Sequence, residues 1–514
     1  MGVVEPQREV PVFWEGDVVV VGGGPGGIGA ALAAARNGAK TVLIERFGGL
    51  GGLQTQGNNP AFSFVDPELH GGVIQEIIER LRSEGALKRV EDLPGYERSR
   101  FKENLISRLG KDRLPKRLVE TDVGYWGAWS VSFDIEYYKY LLDCIVQEAG
   151  IKPLYHTLAT GALRDGNTLK GVVVETKQGR LAILGKVVVD ATGTGDIVRY
   201  SGAPSIGAEG IPVGPRKGQH LGALSSFFVG GVDVKRFREF REANLDKWGE
   251  MYVGREILEK AKKEGTHVVV DRVILASVFD VYNGGRIWVM TLLYSPTPGA
   301  SPLSPDEVTR AEIEMRRQAR ELHRVFKENI PGFENSYIER TANIPLTGMS
   351  HRVLGDYVLT VGDMREGRAF DDSVAINNMP PDLYELVGRF RYEILPHDVP
   401  YRCLVSREVE NLLAAGTTIS SGAFAIAGLR YCTPSICQGQ AAGTAAALAV
   451  AAGVTPRKLD VTTLQATLRR QGAPVSVRDL KPEVLEPYRF IQKLNIEFRR
   501  VDTIPISEEE VAKY

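Results

Sequence analysis

Cysteine is scarce in this sequence, and no two cysteines have the spacing of a metal or redox motif. The 514 residues include Cys144, Cys403, Cys432 and Cys437 and no other cysteine. Four scattered cysteines without a C-x-x-C pair predict neither a disulfide framework nor an iron–sulfur centre. We therefore expect reduced thiols, and the sequence predicts no metal site.

An excess of charge of one sign and a long apolar run are also missing. Lys and Arg number 63 and Asp and Glu number 64, which gives a net charge of -1, so no strong field attracts nucleic acid. No apolar run of about 18 residues is free of charge and glycine, which predicts no membrane span. Residues 1–16 lack the apolar region of a signal peptide. We expect a cytoplasmic protein without a nucleic-acid partner.

Glycine, in contrast, is abundant, and many of the 56 glycines cluster at the ends of apolar runs. The run from Asp17 to Val21 is typical of a buried parallel strand. A helix is predicted from Pro25 to Asn37, closing at Gly38, and a second strand from Thr41 to Ile44. This order predicts a βαβ unit with a glycine-rich turn before the helix.

The glycine-rich turn has the spacing of a dinucleotide site. Gly22, Gly24 and Gly27 form G-x-G-x-x-G, which lets backbone N–H groups and the helix N-terminus bind a pyrophosphate. Glu45 ends the second strand, where a carboxylate can accept hydrogen bonds from the ribose and disfavours the extra phosphate of NADP. Dinucleotide binding is therefore predicted, but the turn alone does not distinguish NAD from FAD.

Three glycine-bearing segments further along the chain favour FAD. They are Gly48–Gly52, Asp190–Asp196 and Ala415–Gly416 with the helix that follows. FAD is long and extended, so it needs backbone approach at several separated points, and each segment supplies one.

At these residues the sequence resembles the FAD-dependent oxidoreductase family, whose two-dinucleotide-binding-domain flavoprotein fold is of the glutathione-reductase and fumarate-reductase type. The segments that carry the resemblance are VVVVGGGPGGIGAALAAARNGAKTVLIER, GGLGG, VVVDATGTGDIVRYSGAP, GDYVLT, VPYRCLV and NLLAAGTTISSGAFAIAGLRYCTPSICQGQAAGTAAALA. The resemblance implies an α/β fold, with a Rossmann-like ββα-type FAD domain assembled from discontinuous segments and an α+β substrate domain.

The expected division of the chain follows from this fold. It comprises an N-terminal strand or arm (1–16), the first part of the FAD domain (17–200, with an insertion at about 57–130), a substrate or cap domain (201–395), the second part of the FAD domain (396–454) and a C-terminal tail (455–514).

The same resemblance implies tightly bound, non-covalent FAD and the residues that contact it. These are Gly22, Gly24, Pro25, Gly26 and Gly27 at the pyrophosphate, Glu45 with Arg46 at the adenosine ribose, Gly51 and Gly52 at the phosphate and ribityl region, Thr192 and Gly193 from another strand, and Gly416 and Ser435 near the flavin. Thr433 is predicted to cap the helix that contains Ser435, whose positive end would stabilise the reduced flavin. His156 is expected to be an ordinary packed or solvent-facing residue without a bond to the flavin.

Flavin chemistry also needs an acid or base and a cation that orients the substrate. The candidate catalytic residues are Arg430, His351, Arg352 and His397. Arg430 ranks first because it stands shortly before the predicted flavin helix, although a structural ion pair is equally compatible. Polar residues common in relatives are absent at Gly348, at Asp382–Tyr384 and near Phe424. This disfavours a small carboxylate substrate and favours a less polar or differently held one.

The sequence therefore predicts an enzyme that transfers hydride between tightly bound FAD and a small organic substrate of alcohol, sugar or amine type. A C=C reductase of the fumarate-reductase kind and a non-catalytic electron-transfer flavoprotein are the alternatives. The identity of the electron acceptor and the formation of a homo-oligomer are left open.

Overall fold

The structure is a computed structural model. It describes residues 3, 8–89, 106–120, 131–207, 210, 212, 217–218, 225–244, 255–270, 273–277, 280–291, 303–344, 351–381, 394–497 and 513. The helices in these ranges are α1 (Pro25–Arg36), α2 (Val73–Ser83), α3 (Lys116–Glu120), α4 (Ile135–Glu148), α5 (Asp196–Tyr200), α6 (Val234–Glu242), α7 (Arg255–Lys263), α8 (Pro305–Asn329), α9 (Val361–Glu366), α10 (Ile426–Leu429), α11 (Cys432–Ala452), α12 (Val461–Arg470) and α13 (Pro482–Glu497). The strands are β1 (Val12–Val21), β2 (Thr41–Ile44), β3 (Ala61–Phe62), β4 (Leu87–Arg89), β5 (Val131–Phe133), β6 (Lys152–Leu154), β7 (Leu158–Asp165), β8 (Thr168–Thr176), β9 (Gly179–Asp190), β10 (Ser205–Ile206), β11 (Ser225–Gly230), β12 (Val273–Ala276), β13 (Ile287–Thr291), β14 (Tyr337–Thr341), β15 (Arg352–Val353), β16 (Ser373–Asn377), β17 (His397–Pro400) and β18 (Leu412–Ala414).

A parallel sheet carries the glycine-rich turn. The strands β6, β2, β1, β9 and β18 lie side by side in this order and pair in parallel. The run of four valines from Val18 to Val21 is buried, as expected for a central strand covered on both faces. Val21 pairs with Asp190, and Asp190 pairs with Ala414 on the other side. The carboxyl ends of β1, β9 and β18 therefore lie at one edge of the sheet.

Strand β9 joins this sheet to an antiparallel meander. Its first half pairs with β8, which pairs with β7, while its second half pairs in parallel with β1. Val12 of β1 lies opposite Ala182 of β9, so β1 begins well before the predicted start at Asp17. The polar and glycine residues between these positions hid this extension from the apolar pattern.

Helices α1 and α11 pack together on the parallel sheet at very short range. A Cβ atom built on Gly29 would lie 2.3 Å from the Ile436 carbonyl oxygen, and one on Gly439 would lie 2.1 Å from the Gly26 carbonyl oxygen. Only glycine permits such close backbone contact at these two positions. This packing places the N-terminus of α11 beside the turn that precedes α1.

A second region contains the antiparallel sheet β12-β13-β11-β14 with α8 packed on it, around its own hydrophobic core. It is attached to the segment that follows Gly52. Trp288 Nε1 and Ser226 Oγ both donate hydrogen bonds to the Asn58 carbonyl oxygen, at 2.6 and 2.8 Å. This segment therefore connects the predicted cofactor region to the predicted cap.

The structure confirms the predicted α/β class with a parallel sheet, but it corrects the start of α11. The helix begins at Cys432 with Tyr431 at the N-cap, so the predicted cap Thr433 lies inside the first turn. Thr433 Oγ1 instead donates to the Ser63 carbonyl oxygen at 2.8 Å. The domain boundaries stay a prediction.

No helix in the described ranges is long and apolar enough to cross a membrane. In the same part of the chain, His, Cys, Asp and Glu side chains form no group of three or more that could hold a metal ion.

Candidate functional site

Two glycines of the turn are required by the backbone itself. Gly22 has φ +103°, and a Cβ atom there would lie 2.3 Å from the Ala191 carbonyl oxygen. A Cβ atom on Gly27 would lie 1.7 Å from the Gly22 carbonyl oxygen. The first glycine therefore permits a left-handed turn, and the second permits close packing of helix on strand.

Gly24 differs from these two because nothing within the protein requires a glycine there. It is the N-cap of α1, with φ -74° and ψ -176°, a conformation that any residue adopts. A Cβ atom at Gly24 would meet one atom of the described residues within 4 Å, the Gly52 Cα at 3.8 Å. Gly24 thus faces open space beside a helix N-terminus and next to Gly52.

Glu45 fixes the shape of the glycine turn. Its Oε2 accepts a hydrogen bond from Gly23 N at 2.7 Å, and its Oε1 accepts one from Phe47 N at 2.8 Å. Burial raises the pKa of this carboxyl group above its ordinary value, although the backbone donors oppose the shift. Each oxygen keeps a second acceptor position for a ligand hydroxyl. The neighbouring Arg46 is exposed, and its guanidinium carbon lies 4.8 Å from the centre of the Phe47 ring.

Asp190 organises the loop that follows β9. Its Oδ1 accepts hydrogen bonds from Thr192 N and Oγ1 at 3.0 and 2.7 Å, and its Oδ2 accepts one from Val198 N at 2.9 Å. Complete burial raises the Asp190 pKa to about 6. The loop passes through Gly193, whose carbonyl oxygen accepts a hydrogen bond from Thr417 Oγ1 at 2.8 Å. Thr192 and Gly193 are thereby held next to the segment after β18.

Gly416 completes this convergence. It has φ +75°, and a Cβ atom there would lie 3.5 Å from Ser435 Oγ. A Cβ atom on Gly26 would lie 3.2 Å from Gly416 N. Thus Gly26 of the first turn, Gly416 after β18 and Ser435 of α11 lie in one place, although more than half of the chain separates the first from the other two.

A family model described as FAD dependent oxidoreductase matches residues 17–468 of the chain. The protein belongs to this family. The predicted family and its cofactor, FAD, are therefore confirmed, and the protein is an oxidoreductase.

Two curated relatives match shorter segments. Dihydrolipoyl dehydrogenase of Trypanosoma brucei brucei is 56% identical over 46 residues, which cover 9% of this chain and 10% of the relative. Digeranylgeranylglycerophospholipid reductase of Methanocaldococcus jannaschii is 32% identical over 199 residues, or 36% of this chain and 40% of the relative. The matches thus span less than half of each relative.

Solved structures are similar over most of the chain at low identity. A geranylgeranyl bacteriochlorophyll reductase-like protein of Thermoplasma acidophilum has a TM-score of 0.41 and 14% identity, covering 94% of this chain and 99% of that chain. The p-nitrophenol 4-monooxygenase of Pseudomonas putida has a TM-score of 0.43 and 12% identity, covering 95% of both chains.

The residues at the strand ends fit FAD. The open space at Gly24 adjoins the N-terminus of α1, and the glycine contacts described above join Gly24 to Gly52 and Gly26 to Gly416. An extended dinucleotide needs such a line of exposed backbone. The individual contacts of Gly22, Glu45, Ser435 and the other predicted residues with FAD stay a prediction.

The candidate catalytic residues lie in different surroundings. His351 Nδ1 is 3.0 Å from Ser205 Oγ, and Arg352 is buried with its Nε donating to the Ser421 carbonyl oxygen at 2.8 Å. A Cβ atom on Gly195 would lie 2.2 Å from the His351 carbonyl oxygen. These two residues therefore adjoin the loop after β9.

His397 is completely buried, and protein atoms occupy both ring nitrogens. Nε2 is 3.1 Å from Asn377 Nδ2, and Nδ1 is 2.9 Å from the Leu395 carbonyl oxygen. Nδ1 therefore carries the proton and Nε2 accepts. Burial lowers the His397 pKa to about 4, so this imidazole is neutral near pH 7.

Arg430 differs from His397, because one buried donor of its guanidinium group has no hydrogen-bond partner among the described residues. Its Nε is buried and makes no hydrogen bond with the described residues. The guanidinium carbon lies 5.5 Å from the centre of the Tyr431 ring, at the N-cap of α11. The predicted alternative, a structural ion pair, is absent from the described residues. Gly348 and Asp382–Tyr384, where the sequence departs from relatives, lie outside those residues.

Proposed function

We propose that the protein binds FAD non-covalently and transfers hydride between FAD and a small organic substrate of alcohol, sugar or amine type. The observation that carries the proposal is Gly24, where neither backbone conformation nor packing requires a glycine. A ligand that approaches the helix N-terminus explains why this position lacks a side chain.

The roles of the other residues follow from their positions. Backbone N–H groups of Gly24, Gly26 and Gly27 bind the pyrophosphate, and Glu45 accepts hydrogen bonds from the adenosine ribose. The N-terminus of α11, with Ser435 next to Gly416, stabilises negative charge at the flavin. FAD, when bound, supplies the site that accepts or delivers hydride.

Arg430 is proposed to orient the substrate. Its unpaired, buried Nε is a donor that a substrate oxygen or nitrogen can satisfy, and buried donors are costly when left unsatisfied. His351, Arg352 and His397 are weaker candidates because each already binds protein atoms.

We propose that FAD is bound non-covalently, because the segment from Gly51 to Asn58 contains no histidine or cysteine that could form a bond to the flavin. His156 is exposed and lies beside Gly48 instead: a Cβ atom on Gly48 would lie 2.8 Å from His156 Nε2. Gly48 lies close in sequence to Glu45, which we assign to the adenosine end of FAD. His156 therefore lies at that end rather than at the flavin ring.

The first experiment asks whether the purified protein carries FAD. We expect a yellow protein that releases FAD on heating, with about one FAD per chain, and colourless protein would contradict the proposal. Gly24→Ala should weaken FAD binding by at least tenfold while leaving the melting temperature of the apoprotein unchanged. Gly284→Ala is the matched control, since a Cβ atom on Gly284 would also meet a single atom of the described residues within 4 Å, Asp280 Oδ1 at 3.8 Å.

The second experiment identifies the reductant. Oxygen-free holoenzyme is mixed with glycerol, D-glucose, benzylamine or NADH, and loss of flavin absorbance is followed. Bleaching by one of the first three supports the proposal. Bleaching by NADH alone would reject the direct oxidation of these substrates.

A C=C reductase is the second candidate, favoured by the reductase of Methanocaldococcus jannaschii among the relatives. In that case dithionite-reduced holoenzyme should regain its yellow colour on anaerobic addition of an alkene such as fumarate or geranylgeraniol. Recovery with an alkene, combined with no bleaching by alcohols or amines, would replace the first proposal by this one.

A further inference from the structure

A buried polar network connects the C-terminal helix α13 to the region near Arg430. Asp66 is completely buried and accepts hydrogen bonds from Arg117 Nη2 and Nη1 at 2.6 and 2.9 Å. Tyr488 Oη of α13 donates to Asp66 Oδ2 at 2.9 Å. Burial raises the pKa of Tyr488 well above its ordinary value. The tyrosine is therefore a neutral donor to the Asp66 side chain.

Asn378 is the end of this network. Its Nδ2 donates to Tyr488 Oη at 3.0 Å and to the Phe64 carbonyl oxygen at 3.2 Å. Since the tyrosine proton is directed to Asp66 and a carbonyl can only accept, both contacts require the amide NH₂ group. The orientation of the amide is thus fixed. Its Oδ1 is buried and accepts no hydrogen bond from the described residues.

The position of Asn378 relates this unpaired acceptor to the candidate substrate site. The Met379 carbonyl oxygen would lie 2.6 Å from a Cβ atom on Gly428, two residues before Arg430. Phe64, which accepts from Asn378, follows Ser63, which accepts from Thr433 of α11. Asn378 therefore belongs to the same junction of three segments as Arg430 and the start of α11.

We propose that Asn378 Oδ1 accepts a hydrogen bond from a substrate hydroxyl or amine group, and that Tyr488 is the positioning residue that holds the amide in place. This inference rests on the proposed function and narrows its substrate class to compounds with an O–H or N–H donor. A buried acceptor without a partner is unfavourable, and a substrate donor removes that cost. An ether or a tertiary amine of the same shape offers no such donor.

The buried polar network of Asp66, Tyr488 and Asn378 also assigns a role to the C-terminal tail. Tyr488 is buried against its own chain, and Ile491 of the same helix packs with Leu118 of α3. On this proposal, helix α13 contributes the positioning residue Tyr488 to a site whose substrate the helix does not touch.

The test compares Asn378→Ala, Tyr488→Phe and the double variant with wild-type holoenzyme. The probe is whichever of glycerol, D-glucose and benzylamine bleaches the wild-type flavin. We expect the half-saturating concentration for bleaching to rise about tenfold in Asn378→Ala and about threefold in Tyr488→Phe, as for one lost hydrogen bond. The limiting bleaching rate should fall less. The double variant should match Asn378→Ala, because Tyr488 acts through Asn378.

Tyr401→Phe is the matched control, since Tyr401 is a buried tyrosine whose hydroxyl donates to the Pro456 carbonyl oxygen at 2.9 Å. It should lower stability to a similar extent without changing the half-saturating concentration. A second readout is the rise in melting temperature of holoenzyme caused by the same probe, which should shrink in Asn378→Ala and Tyr488→Phe only.

The outcomes separate two failures. If wild type is bleached but both variants keep its half-saturating concentration and its probe-induced thermal shift, Asn378 binds a buried water or nothing, and the inference alone falls. If none of the three compounds bleaches wild type, or if additive effects appear in the double variant, the inference is also overturned. If none of the three compounds bleaches wild type, the hydride-transfer proposal is overturned as well.

Discussion

The nucleotide end of the candidate site is formed mainly by backbone, whereas the substrate end is formed mainly by side chains. At the nucleotide end, glycine backbone from β1, β9 and β18 comes together, with Glu45 and Asp190 holding the turns in shape. At the substrate end, side chains from distant segments, such as Asn378 and Tyr488, form a buried polar network. The first surface suits any dinucleotide, whereas the second can distinguish one substrate from another.

The largest effect that tests this contrast is expected at the nucleotide end, for Gly27→Ala. The added Cβ atom would lie 1.7 Å from the Gly22 carbonyl oxygen, so strand and helix must separate. We expect loss of soluble, FAD-bound protein, measured by yield and flavin absorbance. Gly24→Ala provides the comparison, since it should fold and lose FAD affinity only. Equal behaviour of the two variants would contradict the division between backbone-required and ligand-required glycines.

Among the candidate catalytic residues, a pH effect on stability is expected from His397. Its pKa of about 4 in the folded state lies below the ordinary value of 6.5. The unfolded chain therefore binds a proton first as pH falls, so stability present above pH 6.5 is lost progressively towards pH 4. The contribution is on the order of 3 kcal/mol at most.

His397→Gln should weaken the dependence of the melting temperature on pH between about 6.5 and 4. Part of the dependence should remain, because burial also lowers the pKa of His70 to about 4. The same variant tests the catalytic prediction for this residue, because a structural imidazole leaves the flavin bleaching rate near its wild-type value at pH 7.5. An unchanged pH dependence together with a collapsed bleaching rate would reverse the interpretation.

A smaller effect, confined to the rate, is expected for Arg430→Ala. The Nε atom makes no protein hydrogen bond in the described residues, so its removal costs little stability. Loss of one charged donor to the substrate should slow flavin bleaching by about 10- to 100-fold with FAD still bound. Arg402→Ala is the control, because Arg402 is half-exposed and pairs with Asp372 at 2.9 Å. Unchanged bleaching in Arg430→Ala would remove this residue from the site.

The two ends also differ in how far the sequence predicts them. The turn at Gly22 to Gly27 and the acid at Glu45 are local in sequence, so their spacing predicts strand, turn, helix and ligand. Asp66 and Tyr488 are 422 residues apart, and neither stands in a pattern that indicates its partner. Thr433 shows a further limit: the Thr-Pro pair is typical of a helix start, but the helix begins two residues earlier, at Cys432. Thr433 Oγ1 donates to the Ser63 carbonyl oxygen, a contact distant in sequence that no local pattern indicates.

The smallest effect concerns how the cap sheet is joined to the cofactor region. Trp288 donates a buried hydrogen bond to the Asn58 carbonyl oxygen at 2.6 Å, whereas Arg340 and Glu136 form an ion pair between the same regions in which the Glu136 side chain is 62% exposed. Trp288→Phe keeps most of the ring packing and should lower the free energy of unfolding by about 1 kcal/mol. Glu136→Gln should lower it by less, since exposed ion pairs contribute about 0–1 kcal/mol.

The dependence on salt concentration distinguishes the Trp288–Asn58 hydrogen bond from the Arg340–Glu136 ion pair. The effect of Glu136→Gln should vanish at about 1 M NaCl, where the Debye length is about 3 Å, while that of Trp288→Phe should persist. Because Asn58 lies six residues after Gly52 and has φ +52°, a loss at Trp288 should also loosen the segment after the pyrophosphate turn. We therefore expect a modest rise in the FAD dissociation constant for Trp288→Phe and none for Glu136→Gln. A larger effect of Glu136→Gln than of Trp288→Phe on the FAD dissociation constant would contradict this expectation. It would mean that the exposed ion pair, rather than the buried hydrogen bond from Trp288 to Asn58, holds the cap sheet against the cofactor region.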